Sequence, residues 1–397
     1  MASFLILLSV VVLAFWVAVA LDRKRWWPSE LRLPEASPAG AAAAARGLAV
    51  VVPARDEAEI IGRTLPALLA QGDFFRALVI ADDRSSDGTA SLAAELAAGS
   101  PCAGKVRVVR APQPPAGWSG KVHALEAGVR ELDAWTPSPE WILFTDADVV
   151  HAPGSLAALV GKSLAEGLDL VSVMVRLSVS NFWEKLLIPP FVYFFQLLYP
   201  FRRVAEVGSR TAAAAGGCLL LRREALDRMG GLSPVRGEVI DDVAIAKRVK
   251  ASGGRIWLGT SDALVSARTY GSLGEIVRMV SRTAFVQLRK RYSLVALTLA
   301  GLALFLVSPP ILAAAGAAGR APAAAAAALA AWILESIHFL PAVRRQRVCP
   351  LYAASLPLAA ALYGYMTAVS AARHWSGRGP EWKGRELLDL GAPPEGR

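Results

Sequence analysis

Trp141-Ile142-Leu143-Phe144-Thr145-Asp146-Ala147-Asp148 is the stretch on which the fold turns. Its apolar run, bounded by turn-forming residues, reads as a short buried strand, and two carboxylates one residue apart close it. Open α/β sheets bind ligands at the carboxyl ends of their strands. Carboxylates set there can hold a hard divalent cation whose other ligands come from substrate phosphates. Asp148 also has a plainer use, starting the turn before a helix opened by Pro153.

The same rhythm runs through the preceding hundred or so residues. Residues 48–52, 77–81 and 106–110 read as strands, 58–70, 88–98 and 121–132 as helices, and 168–175 as a further strand. Short buried strands alternating with helices predict an α/β fold, Rossmann-like, with a mostly parallel sheet joined by crossovers. The domain is expected over residues 47–292, after a Pro/Ala-rich linker at 26–46.

Composition adds a membrane. The chain has 397 residues, 54% of them hydrophobic, with a mean hydropathy of +0.41 and a formal net charge of +10. Residues 4–21 carry no charge and are long enough to cross a bilayer at about 1.5 Å per residue. Ala18-Val19-Ala20 resembles a signal-peptidase site, but the basic residues Arg23, Lys24 and Arg25 follow the apolar run, the reverse of a signal peptide's order. An uncleaved anchor over 1–25 is therefore expected, its start outside and its basic flank in the cytoplasm. Three more spans are expected within 293–372, at 294–318, 321–340 and 351–372, with Pro309-Pro310 and Pro357 interrupting two of them. The charge pattern predicts an integral membrane protein with its large domain cytoplasmic. Four spans leave one conflict, since they put the basic tail at 373–397 outside.

Residues 181–201, with aromatics around Pro189-Pro190, read as a membrane span, a buried core helix or an interfacial helix; the interfacial reading keeps the large domain on one side of the membrane. Glu335 and His338 share a helix face near the end of a span, as a functional pair or a snorkelling one. Basic clusters at Arg289 to Arg291 and at Arg344, Arg345 and Arg347 suit an anionic leaflet and phosphate-bearing substrates. Nothing resembles a nucleic-acid-binding module. The three cysteines have no metal-ligand spacing and imply no disulfide framework.

Several motifs fall at the same expected sheet edge. Pro53-Ala54-Arg55-Asp56-Glu57 follows the first strand and Asp82-Asp83 the second, where carboxylates can accept from a nucleoside's base and ribose. Ser86 and Asp87 are expected to be helix caps. Gly117-Trp118-Ser119-Gly120-Lys121 precedes a helix, so backbone N–H groups and an ammonium converge on a place for an anion such as a diphosphate. There is no P-loop and no G-x-G-x-x-G, which excludes the usual NTPase and dinucleotide-enzyme signatures. Gly216-Gly217 lets a substrate approach the backbone. Asp241-Asp242 opens a helix, where Asp242 is either a dipole-favoured acid or a general base. Arg289 and Arg291 are a positive-inside flank or steady a departing diphosphate.

Taken in order, these pieces resemble the family 2 glycosyltransferases of GT-A fold over residues 47–292. The layout of anchor, central domain, interfacial helix and C-terminal spans looks most like the hopanoid-associated glycosyltransferases, relatives of ceramide glucosyltransferases, and Glu381-Trp382-Lys383-Gly384-Arg385 adds to that impression. The resemblance implies an inverting transfer of a hexose or N-acetylhexosamine from a UDP-sugar to a membrane lipid hydroxyl. It implies that Pro53, Ala54, Arg55, Glu57, Asp83, Lys121 and Asp146 hold the nucleotide sugar, with Arg289 and Arg291 at the diphosphate. Asp148, with Asp146, would ligate Mg²⁺ or Mn²⁺; Gly216, Gly217 and Asp241 would face the acceptor, and Asp242 would take its proton. Asp56 stands where Asn is common and Asp241 where Glu is common, and the family's Q/R-x-x-R-W element is only approximated by 287–292. A processive polysaccharide synthase and a non-catalytic membrane scaffold are the rival readings.

Overall fold

A computed structural model describes residues 2–22, 31–135 and 137–377, and the backbone of 381–382 and 385–386. The basic flank at Arg23 to Arg25, part of the expected linker and nearly all of the tail lie outside the described residues. The chain divides into two compact units, one from the described residues of 1–29, 178–200 and 269–378, the other from those of 30–177 and 201–268. The expected domain over 47–292 draws on both units: 181–200 and 269–292 group with the apolar helices. Their apolar faces pack there, Leu187 and Ile276 lying in one buried cluster with Met366.

The sheet unit carries eight strands: β1 (Leu48–Ala54), β2 (Ala77–Asp82), β3 (Val106–Arg110), β4 (Trp141–Thr145), β5 (Val149–His151), β6 (Leu170–Arg176), β7 (Cys218–Arg222) and β8 (Ile256–Ser266). Their order is β3-β2-β1-β4-β7-β6-β8-β5. β3, β2, β1 and β4 run parallel, as do β6 and β8, while β7 runs antiparallel to both β4 and β6. β1, β2 and β4 are buried along their whole length, which is why they read as continuous apolar runs rather than alternating ones. The helices Ala58–Leu69, Thr89–Ala98 and Gly120–Asp133 make the crossovers. Asp148 leads not into a helix but into β5, which pairs with β8; the next helix starts at Ser155, after Gly154 rather than at Pro153.

The expected linker is structured where it is described. Leu31 O and Leu33 N exchange hydrogen bonds with Thr260 of β8, and Pro38–Gly47 is a helix capped by Ser37 Oγ, which accepts from Gly40 N. The Pro/Ala-rich composition suits this helix because Pro38 sits in its first turn and small residues let backbones meet. A Cβ on Gly40 would lie 2.5 Å from Ala157 O and 2.7 Å from Gly161 Cα, so glycine is required there.

In the helical unit, three helices are long and apolar enough to cross a membrane: Ala2–Leu21, Tyr292–Ala318 and Pro322–Arg345. The expected fourth is present as a helix, Leu356–Trp375, but its Gly, Ser, Thr and Tyr residues dilute its apolar character and it is not among them. Phe182–Leu198 is a helix with a capping box between Asn181 and Glu184. Its aromatics divide, Phe182 lying exposed and Tyr193 fully buried beside His338. Glu335 and His338 do not snorkel: both are buried, and His338 Nδ1 lies 2.8 Å from Tyr193 Oη.

Pro309 and Pro310 have no N–H, so the carbonyl of Phe305 loses its helical donors. The helix widens into a π-turn over Leu302–Val307, and Trp16 Nε1 donates to Phe305 O at 2.8 Å. Trp16→Phe strands that carbonyl in an apolar setting. It should cost about 1 kcal/mol, read as a lower thermal midpoint in detergent; an unchanged midpoint would show that the bond contributes nothing.

Candidate active site

The carboxyl ends of β1, β2 and β4 bring the predicted acids to one edge of the sheet. β1 delivers Pro53 and Ala54, then Arg55, Asp56 and Glu57. Arg55 Nη1 donates to Asp83 O at 2.7 Å and lies 3.5 Å from Asp83 Oδ2, while Asp83 N donates to Ala54 O at 2.7 Å. Asp56 adopts φ +50 and ties the two loops, its N–H donating to Ser85 Oγ and its Oδ1 accepting from Ser86 N. Asp87 is a cap as expected, accepting from Ala58 N at 2.9 Å and Thr89 N at 3.0 Å. It serves two helices at once.

Lys121 lies in the first turn of its helix, behind the Ser119 cap. Its Nζ lies 2.8 Å from Asp146 Oδ1 and 3.6 Å from Asp241 Oδ2. Burial alone would push this ammonium down, but Asp146, Asp241 and Asp242 together hold it well above the usual lysine range. Lys121 is therefore the cation of an acidic cluster, a role that the expected diphosphate contact did not include.

Asp241 and Asp242 open the helix Asp241–Ala251, and Asp242 Oδ1 accepts from Val243 N at 2.7 Å. Burial first, then the neighbouring Asp241, pushes the Asp242 carboxyl up to about 7; Lys121 and the backbone N–H groups of Val243 and Gly216 oppose the rise. A carboxylate that titrates near neutrality can hold or release a proton at working pH. Pro53, Phe144, Asp146, Lys121, Gly216 and Asp242 line one small pocket.

Gly216 is where the backbone comes closest. A Cβ there would lie 3.2 Å from Lys121 Nζ and 3.3 Å from Asp242 Oδ2, whereas one on Gly217 would meet only Val175 and Val149. Gly216→Ala should lower kcat/KM about tenfold by displacing the two charged groups. The thermal midpoint should move little, and undiminished kcat/KM would show that the cluster tolerates the displacement.

Asp148 Oδ2 accepts from Ser266 Oγ at 2.8 Å and from Arg268 Nε at 3.2 Å. Burial and Asp146 raise its carboxyl, and Arg268 and Ser266 oppose them. Arg268 Nη2 also reaches both oxygens of buried Glu57, at 2.7 and 2.6 Å. Glu57, expected at the nucleoside, is thus held by an arginine. Among the described residues no cluster of three or more metal-binding side chains exists. Asp146 and Asp148 fit a divalent cation of the kind bound through one or two carboxylates plus substrate phosphates, since each has one oxygen on a cationic side chain and one without a protein donor.

Ser266, Arg268 and His151 carry no signal that local sequence pattern reveals. β8 went unrecognised, and Arg268 lies more than a hundred residues from its partners. His151 is a lone histidine whose Nε2 lies 2.8 Å from Thr145 Oγ1, which donates to Gly217 O at 2.9 Å. Because the threonine proton is spent on that carbonyl, His151 Nε2 is the donor. Burial pushes its imidazole down to about 4, so it stays neutral and ties the end of β4 to the glycine pair. Arg289 and Arg291 belong to the helical unit, in the turn between Leu273–Gln287 and the helix that Tyr292 opens.

The fold is similar to that of mannosyltransferase PcManGT from Pyrobaculum calidifontis, solved in complex with GDP-Man and Mn²⁺, with 23% identity over 91% of this chain and 99% of that one and a TM-score of 0.54. A glucosyl-3-phosphoglycerate synthase from Mycobacterium tuberculosis, solved with Mn²⁺, UDP-glucose and glycerol 3-phosphate, matches 62% of this chain and 82% of its own at 23% identity and a TM-score of 0.40. A search of the curated proteins finds no match. The family described as Glycosyltransferase like family 2 matches residues 45–291, the stretch that holds every strand of the sheet. With its GT-A sheet and its acids at the carboxyl edge, the chain belongs to that glycosyltransferase family.

Proposed function

We propose that this protein is an inverting glycosyltransferase that moves a sugar from a nucleotide sugar to a hydroxyl of a membrane lipid. The observation that carries the reading is the pocket in which Asp242, raised to about 7, faces Gly216 and shares Lys121 with Asp146. Asp242 takes the proton of the acceptor hydroxyl as its oxygen attacks the anomeric carbon, and the bond to the diphosphate breaks in the same displacement, so the configuration inverts. Asp146 and Asp148 would hold Mg²⁺ or Mn²⁺, which would offset charge on the departing diphosphate. Lys121 keeps Asp242 ionisable. Asp83 and the Pro53–Glu57 loop frame the nucleoside, and Gly216, Gly217 and Asp241 line the acceptor side.

The lipid acceptor is supported by three helices fit to span a membrane. With the N-terminus outside, these three spans put Arg344, Arg345 and Arg347 on the cytoplasmic side of a bacterial-type plasma membrane. A polycyclic terpenoid such as a hopanoid is the acceptor that the helical layout suggests. For the donor, UDP-sugars come from the motif resemblance and GDP-mannose from PcManGT. Purified protein with Mn²⁺ should release nucleoside diphosphate from one member of a panel of UDP- and GDP-sugars in the presence of extracted bacterial lipid. No release from any donor would favour a non-catalytic scaffold.

A further inference from the structure

Asp146 and Asp148 each touch a cationic side chain of the protein itself, Lys121 at 2.8 Å and Arg268 at 3.2 Å. Arg268 is anchored more firmly than its bond to Asp148 requires. Nη2 grips both oxygens of Glu57, which is 7% exposed, and the Arg268 backbone N–H donates to Ser266 Oγ, itself a donor to Asp148 Oδ2. The guanidinium therefore spans from the loop after β8 to the loop after β1 and lies across the carboxylate assigned to the metal. We propose that Arg268 is a built-in counter-cation that keeps Asp148 from taking a divalent ion until a nucleoside diphosphate arrives.

The inference rests on the metal assignment above. A free divalent ion meets the guanidinium's positive charge at Asp148 and must displace Arg268 from it. A diphosphate changes both terms. It adds negative charge for the metal and supplies phosphate oxygens that a guanidinium binds bidentately, so Arg268 can leave Asp148 without losing its partner. Metal and donor then load together, and the metal does not occupy the site alone. Arg268 acts through Asp148 and is a positioning residue for the metal, not a catalytic one.

Mn²⁺ binding to the full chain in detergent, followed by the electron paramagnetic resonance signal of the free ion, tests this without turnover. Wild type should bind Mn²⁺ weakly alone and about tenfold or more tightly with UDP or GDP. Arg268→Gln should bind Mn²⁺ alone about tenfold more tightly than wild type, with most of the nucleotide gain gone. Arg268→Lys, which keeps the charge, should return to weak binding. Because Arg268→Gln strands buried Glu57, the double variant Glu57→Gln with Arg268→Gln repeats the measurement with no stranded charge and should show the same tightening. Unchanged nucleotide-free affinity in both Gln variants, with Asp148→Asn weakening the ternary complex, would overturn the inference and leave the metal site standing. No Mn²⁺ binding by any of these proteins, with or without nucleotide, would overturn the metal assignment and the inference together.

Discussion

Asp242→Asn is expected to lower the rate of transfer about a thousandfold, as loss of a positioned general base does, while nucleotide binding to the same protein stays within about threefold of wild type. Wild-type kcat/KM should fall about tenfold per pH unit below 7, because the carboxyl titrates at about 7 and only its ionised form accepts a proton. The variant's residual rate should lack that limb. Stability runs the other way. A carboxyl raised in the folded state supports folding at low pH, below the unfolded value of about 3.9, and that support is lost as pH rises through 7. Asn escapes the loss, so the variant's thermal midpoint should exceed wild type at pH 8, with the gap closing toward pH 5. Full transfer by Asp242→Asn would remove the base from the mechanism.

Lys121→Met is the second large effect. Lys121 is the nearest cation to Asp146 and Asp241, and it opposes the rise of the Asp242 carboxyl. Without it, Asp146, Asp241 and Asp242 share one pocket with no ammonium among them. kcat/KM should fall about a hundredfold or more, the scale for removing one preorganised electrostatic group. The acid limb should also move to higher pH, since the remaining acids disfavour ionisation of Asp242. A limb left at its wild-type pH would show that Lys121 does not set the state of the base, whatever it does for the donor.

The parallel half of the sheet was legible in sequence because β1, β2 and β4 are short apolar runs buried on both faces, each ending in polar residues that mark the edge. Asp146, Asp148, Asp83, Lys121, Gly216 and Asp242 could be found for the same reason: each flanks a strand or opens a helix, where local pattern and chemistry coincide. β8 was not, since Gly259 and Asp262 interrupt its apolar run. Arg268 and Ser266 at its end were lost with it. The helix Pro38–Gly47 hid behind a composition that also suits a linker, and only packing against Gly161 distinguishes the two. The three helices fit to cross a membrane declared themselves by length and apolar character, whereas Leu356–Trp375 was overcounted because it has a span's length while its Gly, Ser, Thr and Tyr residues make it less apolar than they are.

The most direct test is the destination of the sugar. Purified protein in detergent, given Mn²⁺, extracted membrane lipid and UDP- or GDP-sugars labelled in the sugar, is assayed by partition between water and organic solvent. The account predicts label in the organic phase with one of these donors, in proportion to the nucleoside diphosphate released, and none with Asp242→Asn. Nucleoside diphosphate release with all the label left in the aqueous phase would contradict transfer to a lipid.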